Sequence, residues 1–147
     1  MTFMIRFIPE NTAQPDSIEP YTRLGEIMLG DHLEKFEAVT SFWNAEDYQK
    51  HWKQAIERIV HGEEKSCLIT SMDDPNIANF IFWWPIYREG NRVFIQNQVL
   101  FLDDERISFN PIDPFASIKD RETLTESGLP ISEWEFALID LEQFLAT

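Results

Sequence analysis

The sequence predicts an α+β fold: a twisted, mainly antiparallel β-sheet built from hairpins, packed against a central helix (about 44–61) and a C-terminal helix (about 132–146). Three observations lead there. Residues 44–64, "NAEDYQKHWKQAIERIVHGEE", repeat apolar side chains at helical spacing. Apolar runs elsewhere come in pairs separated by Gly-containing turns, as hairpins do. The order is strands, helix, strands, helix, without the strict strand–helix alternation that builds parallel sheets.

Along the chain, "PENTAQPDSIEP" (9–20) is the most linker-like stretch, but the eight residues before it are too few for a domain, so residues 1–147 form one domain. "RLGEIMLG" and "HLEKFEAVTSFW" flank Gly30-Asp31 as a first hairpin. In the central helix Asn44 caps the first turn, Asp47 completes a capping box and Gly62 ends it. Tyr48, Trp52, Ala55, Ile56, Ile59 and Val60 form its apolar stripe. "KSCLITSM" (65–72) is a strand that ends at the turn signal "DDPN". A short helical piece is expected between Pro111 and Arg121. In the last helix Ser132 is the cap, Glu135 completes its box, and Ile131 and Phe136 stand at staple spacing.

"NFIFWWPIY" and "RVFIQNQVLFL" flank Glu89-Gly90 and form the second hairpin. Adjacent strand residues point to opposite faces, so Trp83 and Trp84 cannot enter one core. A two-residue turn at Glu89-Gly90 pairs Ile86 with Val93, Trp84 with Ile95, Phe82 with Asn97 and Phe80 with Val99. That face is almost wholly apolar. Trp84, Phe82, Ile95 and Val99 are expected beneath the helices, with Trp52 and Trp134 in the same core. Asn97 then faces the core, bonding a strand end or loop, or serving as a ligand amide. The other face, with Trp83, Pro85 and Tyr87, is mixed: either a loop from the N-terminal third covers it, or Trp83 belongs to an exposed contact surface.

Composition narrows the function. Twelve Lys and Arg against 26 Asp and Glu leave a formal charge of -14, a field that repels nucleic-acid phosphates and anionic lipid and attracts basic partners. Cys67 alone makes neither a disulfide framework nor a cysteine-rich zinc site. "MTFMIRFIPE" is too short and interrupted for a signal peptide, and no apolar run has membrane length, so a cytoplasmic protein is expected. The glycines form no phosphate-binding pattern, and no serine sits in a nucleophile elbow. Asp47 and His51, four apart, make at most half a metal site. No catalytic residue, cofactor or metal is assigned.

Five stretches, "SFW" (41–43), "DYQKHW" (47–52), "SMDDP" (71–75), "NFIFWWPIYREGNRVFIQNQVLFL" (79–102) and "ISEW" (131–134), together resemble the immunity proteins of bacterial contact-dependent growth inhibition (CDI) systems. They lie in order between residues 41 and 134, and the hairpin is the specific part. The resemblance implies a small, non-enzymatic, cytosolic protein that binds and blocks the C-terminal toxin domain of a large exoprotein. In the branch it resembles, the toxin is a nuclease directed at RNA, and the immunity protein's sheet is reminiscent of a single-stranded-DNA-binding fold. With -14 that likeness carries no nucleic-acid binding here. The matched residues are scaffold, so no toxin contact carries over.

The expected mechanism is steric and electrostatic occlusion of a basic ribonuclease domain by carboxylate clusters. The candidates are Asp103, Asp104 and Glu105 after the hairpin, Asp73 and Asp74 in the turn, and Glu63 and Glu64 after the first helix, with Trp83 as an apolar contact. A monomer is favoured. The alternative is a small-ligand enzyme or binding protein using the face around Trp83, which a deep pocket with convergent polar groups would favour.

Overall fold

The structure, a computed structural model, describes residues 1–9, 21–104 and 108–147. Among these, eight strands form two antiparallel sheets with two α-helices. β1 (Phe3–Phe7), β2 (Thr22–Leu29) and β3 (His32–Val39) make the first sheet in that order. β4 (Lys65–Ser71), β5 (Phe80–Glu89), β6 (Arg92–Gln96) and β8 (Glu133–Ala137) make the second, with β7 (Gln98–Phe101) continuing β6 along β5. α1 is Ala45–Val60 and α2 is Leu138–Leu145. A 3-10 turn at Pro114–Ser117 is the short piece expected there.

Local chemistry behaves as the sequence indicates around α1. Asn44 Oδ1 accepts from the Asp47 N–H at 2.8 Å, and Asp47 Oδ2 accepts from the Asn44 N–H at 3.0 Å. Gly62, at φ +113°, follows the helix end. The expected stripe is buried apart from the half-buried Val60.

α1 does not lie across the sheet face. It closes the outer edge of β4, where side chains stand in for a missing strand. The Ile69 N–H donates to His51 Nε2 at 2.8 Å, and Trp52 Nε1 donates to the Ile69 carbonyl at 2.7 Å. One turn earlier Tyr48 Oη accepts from the Met72 N–H at 2.9 Å and donates to the Val39 carbonyl at 2.6 Å, joining the two sheets. Burial lowers the His51 pKa to about 3, so the ring is neutral and Nε2 is free to accept.

The second hairpin turns at Gly90-Asn91, one residue later than expected, with Glu89 opposite Arg92. Gly90 has φ +63° and no non-glycine among the described residues has positive φ, so the glycine occupies the first turn position. Gly30 does the same in the first hairpin, at φ +65°. Moving a turn by one residue moves each partner by two, so the register changes while the faces are kept. Ile86 opposes Ile95 rather than Val93, and Phe82 opposes Val99 rather than Asn97.

Both tryptophans are therefore buried, on opposite faces. Trp84, 3% exposed, joins Ile86, Val93 and Ile95 under the first sheet and Phe136, with its ring 5.8 Å from the half-buried Trp134. His32 stacks on Trp134 and Phe3 meets Phe136 and Phe144 edge-on, so the first sheet and α2 supply this cover. The cover stops at Asn97, which is exposed and not in the core; its Nδ2 donates to Glu34 Oε2 at 3.4 Å. Beyond it Phe82 and Val99 are 47% and 39% exposed, contrary to the expectation that they are buried. Trp83, 4% exposed, lies on the other face, and its cover comes from the segment before β8, not from the N-terminal third.

The C-terminal helix begins at Leu138, not at 132. Glu133–Ala137 instead pairs with β6, Trp134 opposite Ile95 and Phe136 opposite Val93. Asp140 is the first-turn acceptor, taking the Ala137 N–H at 2.9 Å and the N-terminal ammonium at 3.1 Å.

Candidate partner-binding surface

The structure separates the candidate acidic clusters into two groups. Glu63 and Glu64 are exposed where α1 leads into β4, beside Arg88 at the far end of β5. Asp73 and Asp74 follow β4, and Asp103 and Asp104 follow β7, where the Leu102 N–H donates to the Asn79 carbonyl at 2.8 Å. Both of these pairs thus lie at the Phe80 end. Ten residues of β5 separate the two ends, about 30 Å at strand rise. Glu105 lies outside the described residues.

The two turn carboxylates at the Phe80 end are already structural. Asp73 Oδ1 accepts from Ser41 Oγ at 3.0 Å and from the Asp74 N–H at 2.8 Å, and Asp74 Oδ1 accepts from the Asn76 N–H at 3.0 Å. Asp103 is exposed and Asp104 half-buried.

Between these acidic turns sits a feature that sequence reasoning missed. Phe80, Phe82, Val99 and Phe101 are paired across β5 and β7 on one face, and are 46%, 47%, 39% and 57% exposed. The Phe80 and Phe82 rings meet edge-on at 5.2 Å. Their apolar pattern is that of a core face; the signal against it is Asn97, the polar residue where the overlying sheet ends.

The opposite face of β5 and β7 forms the floor of a groove of about 850 Å³. Trp83, Pro85, Tyr87 and Leu100 line it, with Asp104, Asp120, Glu122 and Glu126 among its walls. The covering segment is pinned at three points. Tyr87 Oη donates to the Lys119 carbonyl at 3.0 Å, and Gln96 Nε2 to the Glu122 carbonyl at 2.8 Å. The Arg121 guanidinium forks onto Glu133 while lying 3.8 Å over the Phe94 ring centre. The hydrogen bonds from Arg121 hold the Glu133 carboxyl below its ordinary range. Trp83 is consequently buried and not an exposed aromatic contact. Among the described residues its buried indole N–H has no acceptor.

Two titrating groups on the groove wall are displaced, both away from neutrality. Burial raises Tyr87 to about 12, and the hydrogen bond from Lys65 lowers Asp120. Neither is poised to exchange protons near pH 7. The half metal site is also occupied internally: Asp47 caps α1 and His51 accepts from β4. Burial raises the Cys67 thiol and keeps it protonated inside the core. Among the described residues no helix is long and apolar enough to cross a membrane, and no group of three or more His, Cys, Asp or Glu is arranged to hold a metal.

Comparison with known proteins supplies the family context. The family model for the CdiI N-terminal domain matches residues 38–144. The Immunity protein CdiI of Enterobacter cloacae subsp. cloacae is 33% identical over 132 residues, covering 86% of this chain and 90% of that protein. A chain of the solved CdiA-CT/CdiI toxin and immunity complex from Enterobacter cloacae superposes with a TM-score of 0.83 at 30% identity, covering 99% of this chain and 97% of that one.

Proposed function

The chain belongs to the CdiI family of CDI immunity proteins, and on that premise we propose that it binds and neutralises the C-terminal toxin domain of a CDI exoprotein in the bacterial cytoplasm. The toxin in this reading is a basic nuclease acting on RNA, and neutralisation is by occlusion rather than catalysis. The observation that carries it is the distribution of charge. Arg6, Arg92 and Arg121 are bound to Glu26, Glu135 and Glu133, and Lys65 to Asp120, so much of the basic complement is spent inside the chain. The surplus of the -14 balance is left facing outward, as at the exposed Glu64 and Asp103. A surface of this sign meets the Arg and Lys that a protein uses to hold RNA phosphates, and competes for them directly.

The exposed Phe80 patch between two acidic turns supplies an apolar centre with a charged rim, the usual anatomy of a stable interface. The small-ligand alternative draws on the groove at Trp83, but its two displaced titrating groups offer no acid–base pair near neutrality. The test is co-expression of the toxin domain encoded beside this gene. Growth should be rescued by this protein and not by a non-cognate immunity protein. Toxicity undiminished by the folded protein would refute the reading.

A further inference from the structure

Among the described residues the groove is open along one strand edge. β8 and the residues before it follow β6 as far as Ser132, whose carbonyl accepts from the Asn97 N–H at 3.1 Å. The chain then turns away, the Ile131 N–H donating to the Thr123 carbonyl instead. Among the described residues β7 is left with β5 as its sole strand neighbour. Antiparallel pairs alternate between bonded and non-bonded. Since the Leu102 N–H bonds Asn79, the bonded pairs continue at Leu100 with Ile81 and Gln98 with Trp83. The N–H and C=O groups of Val99 and Phe101 therefore point outward. This explains why both residues line the groove although their side chains stand on the opposite face.

We propose that an extended segment of the bound toxin domain, alternating basic and apolar residues, adds to the β7 edge as a further strand. The proposal rests on the immunity reading above and specifies how that complex is made. A strand laid beside β7 sends alternate side chains to the two faces. One set enters the groove, where Glu122 offers charge to Lys or Arg and the Trp83 N–H has no acceptor among the described residues. The other set lies beside Val99 and Phe101 and extends the exposed apolar patch, covering side chains left exposed among the described residues. One occupant thus accounts for the open edge, the acidic groove and the uncovered phenylalanines. Main-chain bonds supply the affinity and the two faces supply the selectivity.

Amide hydrogen exchange, read residue by residue on the intact protein with and without the purified cognate toxin domain, tests this. In the free protein the Val99 and Phe101 amides should exchange much faster than those of Leu100 and Leu102; saturating toxin should slow them by at least about tenfold, as new hydrogen bonds form. Val99→Pro removes only an outward donor and blocks an added strand, a substitution edge strands tolerate. It should weaken toxin binding by about tenfold, and by clearly more than Val99→Ala, which shortens the same side chain but keeps the N–H; equal losses for the two variants would count against the added strand. Fast Val99 and Phe101 exchange in a saturated complex would overturn the inference while leaving the immunity reading intact. Protection that rises with protein concentration in the absence of toxin would overturn it in favour of a second copy. A toxin domain that does not bind at all would sink both.

Discussion

Acidification should weaken this fold through a single buried histidine. His51 is 5% exposed, sits between Trp43 and Phe115, and accepts the Ile69 N–H that would otherwise be an unpaired donor on the β4 edge. Its pKa is about 3 in the folded chain against an ordinary 6.5, with desolvation as the cause. Because the folded value is the lower one, the unfolded chain binds the proton first. The neutral-histidine contribution is complete above pH 6.5 and declines as pH falls toward 3. At pH 5 the unfolded chain has gained about 1.5 pH units of advantage, which is about 2 kcal/mol at 1.36 kcal/mol per unit. Relief of the -14 self-repulsion acts in the opposite sense, so a comparison with a variant is needed. Urea unfolding of the parent and His51→Gln at pH 7, 6 and 5 provides it. The variant is less stable at pH 7, and its deficit should shrink by about 2 kcal/mol at pH 5. Parallel pH profiles for the two proteins would refute the assignment of a neutral, accepting His51.

Other substitutions probe the remaining structural claims. Trp84→Ala should cost about 3–5 kcal/mol as a core truncation. Trp83→Ala should cost a similar amount, because both faces are covered, and Trp83→Phe should cost much less, since it removes a donor with no acceptor; thermal unfolding of all three checks this. Asn44→Ala should lose about 1 kcal/mol of stability in denaturant titration, the usual worth of an N-cap. Asp103→Lys should weaken toxin binding and slow association most at low salt, measured by stopped flow. The same reversal at Glu64, at the other end of the sheet, should leave protection of toxin-expressing cells unchanged.

What the sequence revealed and what it hid divide along physical lines. The Asn44–Asp47 box, the Gly30-Asp31 turn and the stripe from Tyr48 to Ile59 depend on neighbours within a few residues, and they were legible. Ser132 and Glu135 spelled an equally good helix start, but Trp134 and Phe136 also alternate with Glu133 and Glu135. The open edge of β6, with Arg92 waiting for Glu135, decided for a strand. β1 escaped notice because five residues such as Phe3–Phe7 become a strand only when β2 pairs with them. The second hairpin turns at Gly90-Asn91 rather than Glu89-Gly90, and alternation alone does not distinguish the two; the positive φ of the glycine at the first turn position settles it. For the partner surface, charge balance and family pattern were readable from residues alone. Which carboxylates share an end of the sheet was not, nor was the place where cover over β5 stops, because both depend on how far the first sheet extends.

The most direct measurement of the central claim is a titration of the purified protein into the cognate toxin domain, with RNA cleavage and complex formation followed in the same samples. Occlusion predicts that cleavage falls to background as the complex reaches equimolar ratio, and that excess RNA slows its assembly. A fully formed complex that continues to cleave RNA at the free toxin's rate would contradict the account.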